Sequence, residues 1–245
     1  MPSNVAKPSR STRDELGHDA MNWVMTRSAY GPEWDREANA RRLAITRAVT
    51  ARLMAQQTAD FSWIVLLDNR DPFLNDRMDL YAKSCPAFYP LIWSSGPETT
   101  RKDKADRMPN WRIFVKPREP ALMTRLDDDD GFAPDALERY QRAAAKLTER
   151  TVLILPGGIR YFAGFEVAVR HERNAMQSLY TPPGDTLSPY DYTHTDPPAP
   201  VWIVDSGPSW LWVRHEDSIS GEDMNAAYPL TDATRRHFPV DWSAI

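Results

Sequence analysis

One short, nearly continuous apolar run constrains the fold of this chain more than any other stretch. The run, residues 61–67, contains a single polar side chain, Ser62, and lies between Asp60 and Asp68. An apolar run of this length is typical of a β-strand that is buried on both faces, as in a parallel sheet. We therefore expect the chain to contain a parallel sheet.

Strand and helix patterns alternate around this run. Residues 22–27 are predicted to form a strand, and residues 35–57 a helix in which Ile45, Val49 and Leu53 recur every four positions on one apolar face. Further strands are predicted at 88–93, 111–115, 151–155, 201–204 and 210–213, a hairpin within 160–169, and helices at 78–85, 134–150, 221–227 and 231–237. This alternation predicts an α/β fold with a mixed, mainly parallel sheet flanked by helices and a strand-rich C-terminal third.

Some stretches are less regular than this pattern. Pro90 moves the strand at 88–93 toward an edge of the sheet, because proline cannot donate a backbone hydrogen bond. Residues 174–179 are short and ambiguous, and residues 180–200 are predicted to form a surface loop because they are rich in turn-forming residues.

Composition limits the class of protein. The chain has 245 residues, of which 42% are hydrophobic, enough for one sizeable core. We expect residues 21–245 to form a single domain and the polar residues 1–20 to be flexible. Cys85 is the only cysteine, so an intrachain disulfide is excluded and a Cys/His zinc cluster is not expected.

Charge and hydropathy limit the partners. The net charge is -4 and the isoelectric point about 5.8, so no basic field points to nucleic acid as the main partner. No apolar run approaches the length of a transmembrane segment. We therefore expect a cytoplasmic protein without a transmembrane segment.

Four adjacent carboxylates, Asp127–Asp130, follow the apolar residues 121–123. They repel one another unless they are solvated or a cation lies among them. In an extended segment Asp127 and Asp129 share one side, and carboxylates two residues apart at a strand end suit one Mn²⁺ or Mg²⁺ ion with its bound phosphates. The alternative is a solvated acidic turn that leads into the next helix, whose positive end favours acidic residues.

Several polar residues lie at the ends of predicted strands. Thr26 and Arg27 end the first strand, Asp68 ends the apolar run, and Asp127–Asp129 lie at the end of a further strand that starts with the apolar residues 121–123. In open α/β sheets the ligand binds beyond the carboxyl ends of the strands, so one crevice can contain all of these residues. The basic segment 94–110 is either a solvated loop or a cover for an anionic ligand.

These segments together resemble the rhamnosyltransferase family, whose members are similar to nucleotide-sugar-dependent glycosyltransferases of the GT-A fold. The resemblance lies in Thr26-Arg27 followed by Tyr30-Gly31, in the strand ending at Asp68, and in residues 124–129, 153–158 and 210–215. It extends from about residue 22 to about residue 221. The resemblance implies a GT-A-like fold and a metal-dependent transfer of a sugar, with rhamnose as one candidate, from a nucleoside-diphosphate sugar to a hydroxyl of a glycan or another acceptor.

The resemblance also implies metal ligands. Asp127, Asp129 and His215 would hold Mn²⁺ or Mg²⁺, and the ion would neutralise charge that develops on the departing nucleoside diphosphate. A strand-end histidine bonded only to backbone is the alternative for His215. We expect Asp129→Asn to keep the fold because the site is predicted to be exposed.

Substrate contacts follow from the same resemblance. Arg27 suits phosphate, because its planar guanidinium makes paired contacts with oxyanions, and Tyr30 would stack on the base. Asp68 would contact the base or the ribose. The full set of predicted substrate-binding residues is Thr26, Arg27, Tyr30, Asp68, Arg125, Asp127 and Asp128. The alternatives are a surface ion pair for Arg27, packing on a helix for Tyr30 and a turn-capping role for Asp68.

An inverting transfer needs a carboxylate to deprotonate the acceptor hydroxyl. Asp205, Glu216 and Asp217 are candidates by position, and a retaining enzyme would need no base there. Two other functions use the same features. A metal-dependent phosphoester hydrolase would use the aspartate cluster but usually needs more Asp and His ligands around two metals, and the chain has five histidines. A non-catalytic carbohydrate-binding module would use some of the nine tryptophans, although most of these lie in apolar runs.

Overall fold

The computed structural model describes residues 21–28, 35–93, 119–204, 207–215 and 228–245. The strands are β1 (Met21–Arg27), β2 (Ser62–Asp68), β3 (Phe88–Trp93), β4 (Ala121–Asp127), β5 (Gly131–Phe132), β6 (Thr151–Ile154), β7 (Gly157–Phe162), β8 (Phe165–Arg170), β9 (Gln177–Thr181), β10 (Val201–Ile203), β11 (Trp210–Val213) and β12 (Tyr228–Pro229). The helices are α1 (Arg36–Ala48), α2 (Thr50–Met54), α3 (Leu74–Ser84), α4 (Ala136–Ala144) and α5 (Asp232–His237), followed by a 3-10 turn, Trp242–Ala244.

Within the residues that the structure describes, the main sheet has seven strands in the order β10-β6-β9-β4-β1-β2-β3. Only β9 runs against its neighbours, so the other six strands point the same way. Among these described strands, the one that contains Pro90, β3, lies at one edge, as predicted from the missing donor of proline. The predicted α/β class with a mixed, mainly parallel sheet is confirmed.

The chain changes direction across this sheet at β1. It adds β2 and β3 on one side of β1 and then returns to place β4 on the other side. In register, Arg27 lies opposite both Leu66 of β2 and Asp127 of β4. Arg27, Asp68 and Asp127 therefore end neighbouring strands at one edge of the sheet, where open α/β folds bind their ligands.

A second, smaller sheet has the strand order β12-β8-β7-β11-β5. Its hairpin, β7 to β8, turns through Ala163 and Gly164, which have φ angles of 47° and 88°, as a tight two-residue turn requires. Strand β11 pairs with β7 and also with β5, which follows the four aspartates directly. This pairing brings the end of β11 beside the acidic residues.

One apolar core cluster contains residues of both sheets, including Trp63 and Leu122 from the main sheet and Trp210 and Leu211 from the second. Trp63 and Trp210 are fully buried, whereas Trp202 on the edge strand β10 is 37% exposed. Within the described ranges, no helix has the length and apolar character needed to cross a bilayer.

The predicted helix at 35–57 is two helices, α1 and α2, separated at Val49. The predicted apolar face is nevertheless correct, because Ile45, Val49 and Leu53 are all buried. At the junction the Thr50 hydroxyl donates to the carbonyl of Asp130, at 2.7 Å, so the break lies against the acidic residues.

Two further helix boundaries differ from the prediction. Helix α3 begins at Leu74 rather than near residue 78, because the Asp71 carboxylate accepts from the Phe73 backbone amide at 2.8 Å and shapes the turn that enters the helix. Helix α4 covers only Ala136–Ala144 of the predicted 134–150. Beyond it, the backbone amides of Lys146 and Leu147 donate to carbonyls three residues earlier, as in turns.

Strand β9 differs from the sequence prediction, in which 174–179 are ambiguous and residues 180 and 181 belong to a loop. Its five residues are all buried although Gln177, Ser178 and Thr181 are polar. The Ser178 hydroxyl lies 2.6 Å from that of Thr124 on β4, so polar side chains are paired inside the sheet. A polar strand with internal partners has no alternating or apolar pattern to reveal it.

Gly158 is expected to tolerate no side chain. A Cβ there would lie 2.1 Å from Cδ2 of Trp210, whose fully buried ring is fixed by a hydrogen bond from its Nε1 to the carbonyl of Leu155. Gly158→Ala should lower the free energy of unfolding by about 1–3 kcal/mol, because a packed core resists extra volume. Gly207→Ala is the control, since a Cβ at Gly207 meets nothing within 4 Å. Urea denaturation that finds equal stability for the two variants would contradict the packing argument.

Candidate functional site

The four aspartates form a turn rather than an extended segment. The backbone amide of Asp130 donates to the carbonyl of Asp127 at 3.3 Å. Asp128, Asp129 and Asp130 are buried, while the Asp127 side chain is 34% exposed. The predictions of alternating sides, of a solvated run and of an exposed Asp129 are therefore wrong for the last three residues. Buried carboxylates need partners, and the structure supplies them.

Arg42 on α1 is the main partner. Its Nη2 lies 3.0 Å from Asp128 Oδ1, and its Nη1 lies 2.8 Å from Asp129 Oδ2. Burial alone lowers the pKa of Arg42, but Asp128 and Asp129 outweigh burial and raise it. A permanently charged guanidinium therefore lies between two of the predicted site carboxylates, a contact that the sequence prediction missed.

Asp128 is enclosed on its other side as well. Its Oδ2 lies 3.7 Å from Nη1 of Arg77, a fully buried residue of α3, and accepts a hydrogen bond of 3.3 Å from Ser28. Arg77 also binds Asp71, at 2.6 Å. Asp128 was predicted to contact substrate, but its side chain is fully buried and its carboxylate faces the protein interior. The physical reason is that two buried arginines require a carboxylate between them.

Asp130 connects the acidic turn to the second sheet. Its Oδ1 accepts from the Val213 backbone amide on β11, at 3.1 Å. Burial raises the pKa of Asp130 well above its ordinary value, and the charges of Asp129 and Asp127 raise it further. The hydrogen bond holds β11 so that His215, two residues beyond Val213, reaches the acidic turn.

His215 lies beside Asp129, the residue with which it is predicted to share a metal ion. Its Nε2 lies 3.1 Å from Asp129 Oδ2 and 2.6 Å from Arg42 Nη1. Adjacent ligands of an octahedral Mg²⁺ ion lie about 3 Å apart, given metal–oxygen distances of about 2.1 Å. The spacing of these two donor atoms thus fits two neighbouring coordination positions.

Asp127, the third predicted ligand, faces other partners. Its Oδ2 lies 3.4 Å from Arg125 Nη2. Among the residues that the structure describes, no three Asp, Glu, His or Cys side chains are grouped closely enough to hold a metal by themselves. The residues present fit a divalent ion only as a pair of donors, which is adequate for Mg²⁺ or Mn²⁺ when phosphate and water oxygens complete the shell.

A second cationic group surrounds Asp127. The guanidinium carbons of Arg27 and Arg125 lie 4.7 Å and 5.1 Å from the ring centre of Tyr190, within cation–π range. The Tyr190 hydroxyl donates to the carbonyl of Met25 at 3.0 Å, which fixes the ring. Burial raises the pKa of Tyr190 to about 12, so the ring stays neutral. Arg27, Arg125 and Asp127 together carry one net positive charge.

The arginines control the charge of Asp127. Burial alone raises the pKa of Asp127, but Arg125 and Arg27 outweigh it and lower that pKa below the ordinary value. His194 also lies in this region, and its pKa is lowered by burial and by the charge of Arg125. The group is therefore an anion-attracting edge with a carboxylate that stays ionised.

Two predicted substrate residues have internal partners. Thr26 is 2% exposed, and its hydroxyl accepts from Trp63 Nε1 at 2.9 Å. Asp68 is 5% exposed, and Arg70 binds it through Nε at 3.1 Å and Nη2 at 3.0 Å. These contacts agree with structural roles for both side chains.

Several predicted residues and segments lie outside the described residues. They are Tyr30, Asp205, Glu216 and Asp217, the basic segment 94–110, the strand at 111–115 and the helix at 221–227.

The family of the chain follows from its sequence. The profile of the family described as "Putative rhamnosyl transferase" matches residues 30–227. The chain belongs to this family. In this rhamnosyl transferase family member, the matched stretch contains Arg42, the acidic turn and His215, whereas β1 with Arg27 precedes it.

Other comparisons add little. No curated protein matches the chain significantly. Among solved structures, a crystal structure of 4-diphosphocytidyl-2C-methyl-D-erythritol synthase is similar, with 14% sequence identity, a TM-score of 0.35, and coverage of 67% of this chain and 76% of that chain. At this TM-score the likeness adds nothing to the assignment of the site.

Proposed function

We propose that this rhamnosyl transferase family member is a glycosyltransferase that moves a sugar from a nucleoside-diphosphate donor to a hydroxyl of a glycan or another acceptor. Rhamnose is the sugar that the family name favours. The observation that carries the proposal is the 3.1 Å contact between His215 Nε2 and Asp129 Oδ2. Asp129 is two residues beyond Asp127, which ends β4 at the edge where open α/β sheets bind their ligands.

The donor diphosphate would bind at the cationic group. Arg27 and Arg125 end or nearly end the two central strands, and Tyr190 holds both guanidiniums at one place. Guanidinium makes paired, charge-assisted hydrogen bonds with phosphate oxygens, and arginines that are already ordered lose less entropy on binding. Asp127, which is partly exposed, would face the ribose or the metal.

A divalent ion, Mn²⁺ or Mg²⁺, would be held by Asp129 and His215. When bound there, it would supply Lewis-acid neutralisation of the departing nucleoside diphosphate. In the transfer, the acceptor oxygen bonds to the anomeric carbon while the bond from that carbon to the diphosphate oxygen breaks. Asp205, Glu216 and Asp217 stay the candidate bases for an inverting reaction.

The number of metal ligands in the site also bears on the hydrolase alternative. A two-metal phosphoester hydrolase needs ligands for both ions, but no three Asp, Glu, His or Cys side chains are grouped to hold a metal among the described residues. This ligand set favours the transferase. The test is nucleoside-diphosphate release from a panel of nucleotide sugars, with Mn²⁺, with Mg²⁺ and with a chelator. Release of inorganic phosphate from simple phosphoesters, with no release from any nucleotide sugar, would overturn the proposal.

Loss of one arginine of the pair, Arg125, should weaken binding of the nucleoside-diphosphate donor. Arg125→Gln is expected to reduce affinity for the nucleoside diphosphate about tenfold or more, because charge-assisted hydrogen bonds contribute about 1.5–3 kcal/mol each. The control is Arg142→Gln, since Arg142 is an exposed residue of α4 paired with Glu138. Calorimetric titration measures both variants. The same affinity in Arg125→Gln as in the wild type would show that the diphosphate binds elsewhere.

A further inference from the structure

We propose that, in the ligand-free protein, the Arg42 guanidinium binds the two atoms that would coordinate a metal, Asp129 Oδ2 and His215 Nε2. Arg42 therefore competes with a divalent ion for these atoms until a diphosphate binds. The inference deepens the proposed function and rests on it for the identity of the metal and the diphosphate. Arg42 is thus a positioning residue of the donor site.

The hydrogen-bond chemistry shows what Arg42 occupies. Guanidinium nitrogens only donate, so in the 2.6 Å contact with Arg42 Nη1 the Nε2 of His215 must accept. The same Nη1 donates to Asp129 Oδ2 at 2.8 Å. One terminal nitrogen of Arg42 therefore uses the imidazole lone pair and the carboxylate oxygen that a divalent ion would bind.

Buried contacts hold the guanidinium in this position. Arg42 is 6% exposed, and its Nε and Nη2 both bind Asp128 Oδ1, at 3.3 Å and 3.0 Å. Asp128 is fixed in turn by Ser28 and by the nearby Arg77. The cation is therefore built into the core and is already present when no ligand is bound.

This arrangement makes metal binding conditional. A divalent ion must displace Arg42 from Asp129 Oδ2 and from His215 Nε2. These two protein ligands fill only about two of the six octahedral positions. A diphosphate supplies further oxygen ligands and negative charge, so metal and diphosphate together can displace the guanidinium from Asp129 and His215. Metal alone gains fewer ligands and therefore binds more weakly.

The test is Mn²⁺ binding by the nucleotide-free protein, followed by electron paramagnetic resonance. Arg42→Met should bind Mn²⁺ about tenfold tighter than the wild type, because the competing cation is gone. The matched control is Arg77→Met, which also removes a buried arginine near Asp128, at 3.7 Å, and should change Mn²⁺ affinity by less than about twofold. The gain in Arg42→Met should disappear when Asp129→Asn is added.

Three results would overturn the inference: no gain in Arg42→Met, an equal gain in Arg77→Met, or a gain that survives Asp129→Asn. If Arg42→Met does not fold, the double variant Arg42→Met with Asp128→Asn removes both charges of the buried pair. This variant should also bind Mn²⁺ about tenfold tighter than the wild type. Circular dichroism should be used to check that each variant is folded.

The same measurements separate this inference from the proposed function. Turnover of a nucleotide sugar, together with an unchanged Mn²⁺ affinity in Arg42→Met, would leave the transferase in place and overturn the role of Arg42. Tighter Mn²⁺ binding in Arg42→Met, with no turnover of any nucleotide sugar, would support the role of Arg42 and count against the transferase.

Discussion

Asp129→Asn is expected to abolish the binding of Mn²⁺ together with a nucleoside diphosphate. The substitution keeps the size of the side chain but removes the charge from Oδ2, the atom that lies 3.1 Å from His215 Nε2. Loss of a partner outside the ligand shell already costs about 10–100-fold in metal affinity, so loss of a ligand should cost about 100-fold or more. Calorimetry with Mn²⁺ and the diphosphate measures the effect.

Asp185→Asn is a matched control for this variant. The side chains of Asp129 and Asp185 are 12% and 11% exposed, and each binds an arginine, Arg42 and Arg150 respectively. The control should bind Mn²⁺ and diphosphate like the wild type. Because Asp129 is buried, the melting temperature must be measured for both variants. Wild-type affinity in a folded Asp129→Asn protein would remove Asp129 from the ligand set.

Asp128→Ala is expected to destabilise the protein strongly. Its carboxylate is fully buried between Arg42 and Arg77, and its removal leaves both arginines buried with one carboxylate partner fewer. Breaking a buried ion pair costs about 3–5 kcal/mol, and the remaining contacts with Asp129 and Asp71 favour the lower value, about 3 kcal/mol. For a protein of this size that is a fall of about 6–12 °C in melting temperature.

Two comparisons test whether the ion pair causes this loss. Asp135→Ala removes a carboxylate that binds Arg139 at 2.6 Å but is 39% exposed, and it should cost less than about 1 kcal/mol. Adding Arg42→Met to Asp128→Ala should cost less than the sum of the two single losses, because the two residues contact each other. Additive losses, or a melting temperature of Asp128→Ala equal to the wild type, would show that the buried pair is not what stabilises this region.

Most of the main sheet, though not β9, could be predicted from the sequence because its signals are local. A short apolar run such as 61–67 must be buried wherever it lies, and its length permits a strand. Parallel strands then place their carboxyl ends at one edge, so the meeting of Arg27 with Asp127 followed from the strand prediction and a general rule of α/β sheets. The buried face of α1 and α2 followed equally from its four-residue period.

A weaker signal for Arg42 was present but ambiguous. Arg42 lies four residues after Ala38 and three before Ile45, both buried, so helical periodicity places it on the inner face of α1. An arginine at such a position needs a buried carboxylate, but the period of a helix does not say which one. The partner, Asp128, lies 86 residues away in the sequence.

Only the tertiary structure decided how the site is assembled. The pairing of β11 with β5 and β7 carries His215 to Asp129, and the pairing of polar β9 inside the main sheet left no local pattern. The acidic residues, which local rules favour as solvated, are buried because Arg42 and Arg77 reach them from two helices. Hydrophobic periodicity is a property of neighbours in sequence, whereas the energy of a buried charge depends on partners that only the folded chain brings together.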